Sequence, residues 1–242
     1  MNDEETLQSS IEQKSGRHSN PQELLEILHD TAARLQNNAK YKQCIKVLTQ
    51  ALSLEIEVFG QDSNKAKESA TKLIKMCNKL AVKMLKIGRF EDCIEFIGNA
   101  LSLTGPRYLP NLISLRIVTL NNASSCHRRL GDMEKALSYA QDALNAGLKG
   151  EKDDSLACSH LNICCVYSQN GDHEEALRHS MDALAAANNS VRNNKNQGDG
   201  GESLLNVELD VNDPQRKQKL ATLCIAYHNT GVELEHLKRY EE

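Results

Sequence analysis

Residues Ser159–Leu184 read SHLNICCVYSQNGDHEEALRHSMDAL. Leu161, Ile163, Cys164, Val166 and Tyr167 come before Gly171, and Ala176, Leu177, Ala183 and Leu184 come after it. Ala176 and Ala183 are seven residues apart, which is two helical turns, so both fall on one face of a helix. Small residues on that face let a neighbouring helix approach closely. Gly171 supplies the left-handed backbone that closes the helix before it. The stretch therefore predicts a helix, a tight turn and a second helix.

The same unit recurs. YKQCIKVLTQAL from Tyr41, FEDCIEFIGNAL from Phe90 and MEKALSYAQDAL from Met133 align without gaps to HEEALRHSMDAL from His173. Cys44, Cys93 and Ala136 stand where Ala176 stands, and Ala51, Ala100 and Ala143 repeat Ala183. LLEILHDTAARL, LIKMCNKLAVKML and LRIVTLNNASSCHRRL supply the preceding helices, and the breaks read IGRF, LGDM and NGDH. From Ala39 through Gly88 and Gly131 to Gly171, the turns lie 49, 43 and 40 residues apart. LATLCIAYHNTGVELEHLKRYEE opens a fifth unit and stops one residue short of its small alanine.

This pattern resembles the tetratricopeptide repeat, with His160, Ile163, Cys164, Tyr167, Gly171, Ala176 and Ala183 at its signature positions. Steps near 40 residues, and the phrase ALSLEIEVFGQDSNKAKESA, are similar to the long-helix repeats of kinesin light chains and cell-polarity adaptors. The resemblance implies an all-α fold, a right-handed α-solenoid of stacked antiparallel helix pairs. Residues 21–242 are then an array of four complete units and one truncated unit. Residues 1–20 read as a disordered polar tail, and about 188–213, rich in Asn and Gly, as a flexible loop.

Composition agrees with stacked helices. Hydrophobic residues at 40% allow a sizeable core, but aromatics at 4% and the lack of Trp argue against a large α/β enzyme or β-sandwich. A net charge of −4 gives no general attraction to nucleic acid. No apolar run is long enough to span a bilayer. The polar, acidic start is unlike a signal peptide, so the 8 cysteines read as reduced thiols in a cytoplasmic protein. Association with the cytoskeleton is compatible with that reading.

Ser159–Leu184 also invites a chemical reading. His160, Cys164 and His173 could be zinc ligands, but zinc wants a closed set of four and no CxxC pair exists. Within the repeat these residues stand at packed positions, where buried thiols act as small hydrophobes. No nucleotide, metalloprotease or hydrolase motif is present. The expectation is no metal, no cofactor and no catalysis.

Function would lie on the groove lined by the first helix of each unit. The groove-facing stripes implied by the resemblance are Glu26, Asp30, Ala33 and Asn37; Lys75, Lys79, Val82 and Lys86; Val118, Asn122, Ser125 and Arg129. Cys158, Asn162, Cys165 and Gln169 follow, then Ile225, Asn229, Val232 and His236. Asn122, Asn162 and Asn229 resemble the asparagine ladder that holds a peptide backbone in kinesin light chain-type repeats. As solvated amides they could be replaced by Ala at little cost. Lys75, Lys79, Lys86 and Arg129 would favour acidic side chains on that peptide. His29 and Ala33 break the carboxylate clamp of chaperone-binding repeats. The expected role is a peptide-binding adaptor or scaffold for other proteins, with self-association at the truncated end. The alternative is a structural subunit of a cytoskeletal or ciliary assembly with no separate ligand.

Overall fold

The structure, a computed structural model, describes residues 20–105, 112–149, 153–193 and 213–239. Among the described residues there are nine helices and no strand. They are α1 (Pro21–Asn37), α2 (Tyr41–Phe59), α3 (Asn64–Lys86), α4 (Phe90–Leu103), α5 (Ile113–Arg129), α6 (Met133–Leu148), α7 (Asp153–Gln169), α8 (His173–Asn193) and α9 (Pro214–His236). The fold is an all-α helical repeat array.

Five helix ends close in the same way. At Gly88, Gly131 and Gly171 φ is 76°, 83° and 80°, and the next amide reaches back five residues. Asp132 N donates to His127 O at 3.0 Å, and Asp172 N to Tyr167 O at 2.9 Å. The left-handed turn thereby satisfies carbonyls that the helix leaves open. Ala39 and Lys238, with φ of 56° and 58°, hold the same geometry without glycine. Lys40 N to Leu35 O and Arg239 N to Leu234 O, both 2.9 Å, repeat the bond. Asp132 and Asp172 then cap the following helices, accepting from Lys135 N at 3.2 Å and Glu175 N at 3.3 Å.

The chain divides into two compact units, with the boundary inside α3 between Cys77 and Asn78. In the first, α1 and α2 pair around Leu25, Leu28, Ala32, Leu35, Cys44, Val47 and Ala51, flanked by Met76. The Cys44 thiol donates to Ala32 O at 3.3 Å, so this cysteine fills the small position where the helices touch.

In the second unit α5 pairs with α6, and α7 with α8, while α6 packs on α7 and α8 on α9. First helices also meet one another, α5 with α7 and α7 with α9. Ala136, Ala143, Ala176 and Ala183 are fully buried, as the seven-residue spacing requires. A larger side chain at any of them would overpack the crossing by about 1–3 kcal/mol.

The tail expected over residues 1–20 lies outside the described residues except for Asn20, whose carboxamide caps α1 by accepting from Gln22 N at 3.2 Å. The loop begins later than the sequence suggested. Helix α8 continues to Asn193, because Ala187 and Ser190 extend the buried stripe of Ala183. Residues 194–212 of the expected loop lie outside the described residues.

Candidate functional site

The first helices of the second unit carry unusually polar inner faces. In α5, Thr119, Asn121, Asn122, Ser124 and Ser125 fall within two turns. Asn122 Nδ2 donates to Asn78 Oδ1 at 2.8 Å, and Asn78 Nδ2 to Thr119 Oγ1 at 2.9 Å. Asn121 Nδ2 donates to Ser159 Oγ at 3.1 Å. Asn162 Nδ2 donates to Asn121 Oδ1 at 3.0 Å and to Asn121 O at 3.3 Å, and its Oδ1 accepts from Ser125 Oγ at 3.1 Å. A hydrogen-bonded seam therefore runs from α3 through α5 to α7. Asn229 Nδ2 extends it weakly, lying 3.7 Å from Cys165 Sγ and 4.0 Å from Cys164 Sγ.

This differs from the solvated amides expected of the sequence. The asparagines lie on the stripes that the resemblance assigns to a groove, but neighbouring helices supply their partners. Asn162 has both ends of its amide engaged. Asn122 and Asn229 keep amide oxygens with no hydrogen-bond partner among the described residues. Ser125, also on the stripe, belongs to the seam.

Basic residues border the seam. Lys79 and Lys86 lie two turns apart on α3, exposed and without an ion pair among the described residues. Exposed Arg129 donates from its guanidinium to Leu85 O at 2.8 Å. Val118 and Ile225, 46% and 50% exposed, add apolar surface on the same stripes. Lys75 is exposed too and belongs to the first unit.

The zinc set weighed in the sequence is dispersed among other contacts. Cys164 is buried, and burial pushes its thiol up to about 12. His173 Nδ1 meets the buried Glu233 Oε2 at 2.7 Å, with His236 stacked on the ring at 4.1 Å. His160 Nδ1 lies 2.9 Å from His179 Nδ1 and 3.7 Å from Asp182 Oδ2. Burial lowers both histidines, His179 to about 4 with help from the Arg178 guanidinium. Sequence reasoning missed this cluster. The spacing of His179 and Asp182, one turn apart on a helix, was its only visible signal.

The comparisons can now be set against this geometry. Residues 115–189, which span α5 to α8 almost whole, match the family model described as Tetratricopeptide repeat. This stretch is similar to the tetratricopeptide repeat. No curated protein matches the chain. The apo form of RapI, a crystal structure, aligns with 96% of this chain at a TM-score of 0.52 and 13% identity. The chain spans 56% of the length of RapI. BtubC (BKLC) from P. vanneervenii aligns over 97% of this chain and 87% of its own, at 20% identity and a TM-score of 0.49. The RapI likeness shows the fold alone. Stacked helix pairs of this kind present extended surfaces on which other proteins bind. No helix among the described residues is long and apolar enough to cross a membrane.

Proposed function

We propose that the array is an adaptor that holds an extended peptide against the first-helix stripes of its second unit. The observation that carries this reading is the pair Lys79 and Lys86, two exposed ammonium groups with no ion pair among the described residues, on the helix that bears Asn78. With Arg129 they favour acidic side chains on the peptide. Asn122 and Asn229 are the anchors for its backbone, because their amide oxygens are open to a peptide N–H. Asn162 sets the spacing between α5 and α7 and takes no direct part. The eight free thiols support a reducing compartment, the cytoplasm.

The test is a library of acidic peptides presented to the full chain at low and high salt. Binding that weakens with salt, and drops at least about tenfold in a Lys79→Glu/Lys86→Glu variant, supports the adaptor. Binding insensitive to both changes overturns it.

A second reading, a structural subunit that assembles with copies of itself, draws on α9. Leu220, Cys224, Tyr227, Gly231 and Leu234 form one stripe, and Tyr227 is 57% exposed. On α7 the matching residues Ala157 and Cys164 are covered by α8 and buried. No helix among the described residues covers the stripe of α9. Concentration-dependent sedimentation of the wild-type chain, abolished by Tyr227→Glu, supports assembly through this face. A monomer at all concentrations removes that reading and leaves the adaptor standing.

A further inference from the structure

Outside the peptide-binding stripes, one cluster brings together side chains that a metal would select. We propose that His160, His179 and Asp182 form a three-ligand site for a divalent transition-metal ion of the zinc class, with a fourth position open to water. The donors come from two adjacent helices, His160 from α7 and the other two from α8. His179 and Asp182 lie three residues apart and share a face of α8.

The donor atoms already lie close to the spacing that an ion would impose. Zinc bonded to nitrogen and oxygen at about 2.0–2.1 Å sets its tetrahedral ligands roughly 3.3 Å apart. His160 Nδ1 is 2.9 Å from His179 Nδ1 and 3.7 Å from Asp182 Oδ2, either side of that value. All three donor atoms lie within 4.8 Å of one another. A histidine pair needs no carboxylate, yet Asp182 closes the triangle. His179 is buried and Asp182 side chain is 46% exposed, which gives a fixed base and an entry path from solvent. Two imidazoles and one carboxylate make up the open type of zinc site. The same donors suit copper and nickel, so the class is set by the ligands and the ion by supply.

Arg178 is the competitor. Its guanidinium donates to His179 Nε2 at 2.9 Å, which leaves the imidazole proton on Nδ1, directed at His160 Nδ1. It also lies 3.6 Å from Asp182. For an ion to bind, that proton must pass to Nε2 and the guanidinium must turn away. Arg178 is 55% exposed and already bonded to Glu175 Oε2 at 2.6 Å, so it has somewhere to go. Removing it should therefore tighten binding, an effect that a purely structural role for the cluster would not produce.

The test uses the full chain, stripped with a chelator and titrated calorimetrically with zinc chloride. Cobalt(II) chloride serves as a coloured probe of tetrahedral geometry. One equivalent of zinc per chain is expected, with a raised melting temperature in its presence. His160→Gln and Asp182→Asn, both partly exposed, should each weaken binding at least about tenfold, and Arg178→Gln should tighten it. Absence of saturable binding overturns the site. So does stoichiometric binding unchanged in His160→Gln and Asp182→Asn, since the ion then sits on other donors. An Arg178→Gln variant that binds more weakly refutes the competition. None of these outcomes bears on the peptide-binding stripes, which lie elsewhere on α5, α7 and α9.

Discussion

Asn162 illustrates how a residue that looks solvated from sequence becomes structural in the fold. Its amide makes three hydrogen bonds to α5, so Ala at this position leaves Asn121 and Ser125 short of partners. The expected loss is about 1–3 kcal/mol in urea denaturation. Asn122→Ala should cost a similar amount, because it strips the acceptor of its donor at Asn78, which is 7% exposed. Asn229→Ala, which gives up only contacts to sulfur, should be nearly silent. The thiols divide in the same manner. Burial pushes Cys77, Cys93 and Cys164 up to about 12, whereas Cys224 is exposed. At pH 8 an alkylating reagent should label Cys224 in the native protein and reach those three only after unfolding, as peptide mapping would reveal. Because their folded values are raised, their contribution to stability is complete below pH 9. It falls away as the pH climbs from 9 towards 12.

At the scale of the element, the turns are the most repeated device. Gly131 and Gly171 sit at φ near +80°, where an added Cβ meets no neighbour, so only backbone strain opposes a side chain. Gly131→Ala or Gly171→Ala should cost about 1–2 kcal/mol by thermal denaturation. The reverse change, Ala39→Gly, should add about 0.5–1 kcal/mol, the relieved strain exceeding the entropy that glycine loses. These turns were legible in the sequence, since IGRF, LGDM and NGDH announce them and the seven-residue alanine spacing fixes the helix after each. Ala39 and Lys238 were legible only by counting from their neighbours, as neither residue favours a left-handed backbone. The end of α8 was not legible. AAANNSVRN has weak helix propensity, and Ala187 and Ser190 are held by packing that no local pattern reveals. His160 and His179 belong to different helices, so their meeting depends on how α7 lies against α8. The hydrogen bonds of Asn122 and Asn162 were not legible for the same reason, since their partners lie on other helices.

For the molecule as a partner-binding body, the exposed lysines and the seam make separate claims on salt. A peptide held by Lys79 and Lys86 should dissociate as ionic strength rises, while the folded array, joined by side-chain hydrogen bonds and buried alanines, should not unfold. Melting temperature and peptide affinity measured over one salt series should therefore part company, affinity falling and melting staying level. A joint decline would place the charges within the fold instead. The seam itself adds a mechanical consequence. Asn122 holds Asn78 through its Nδ2 and leaves its oxygen open, so a peptide N–H bound there would polarise the amide and tighten the joint between α3 and α5. Under the proposed peptide binding, the stiffness of that one joint would depend on whether a ligand is bound.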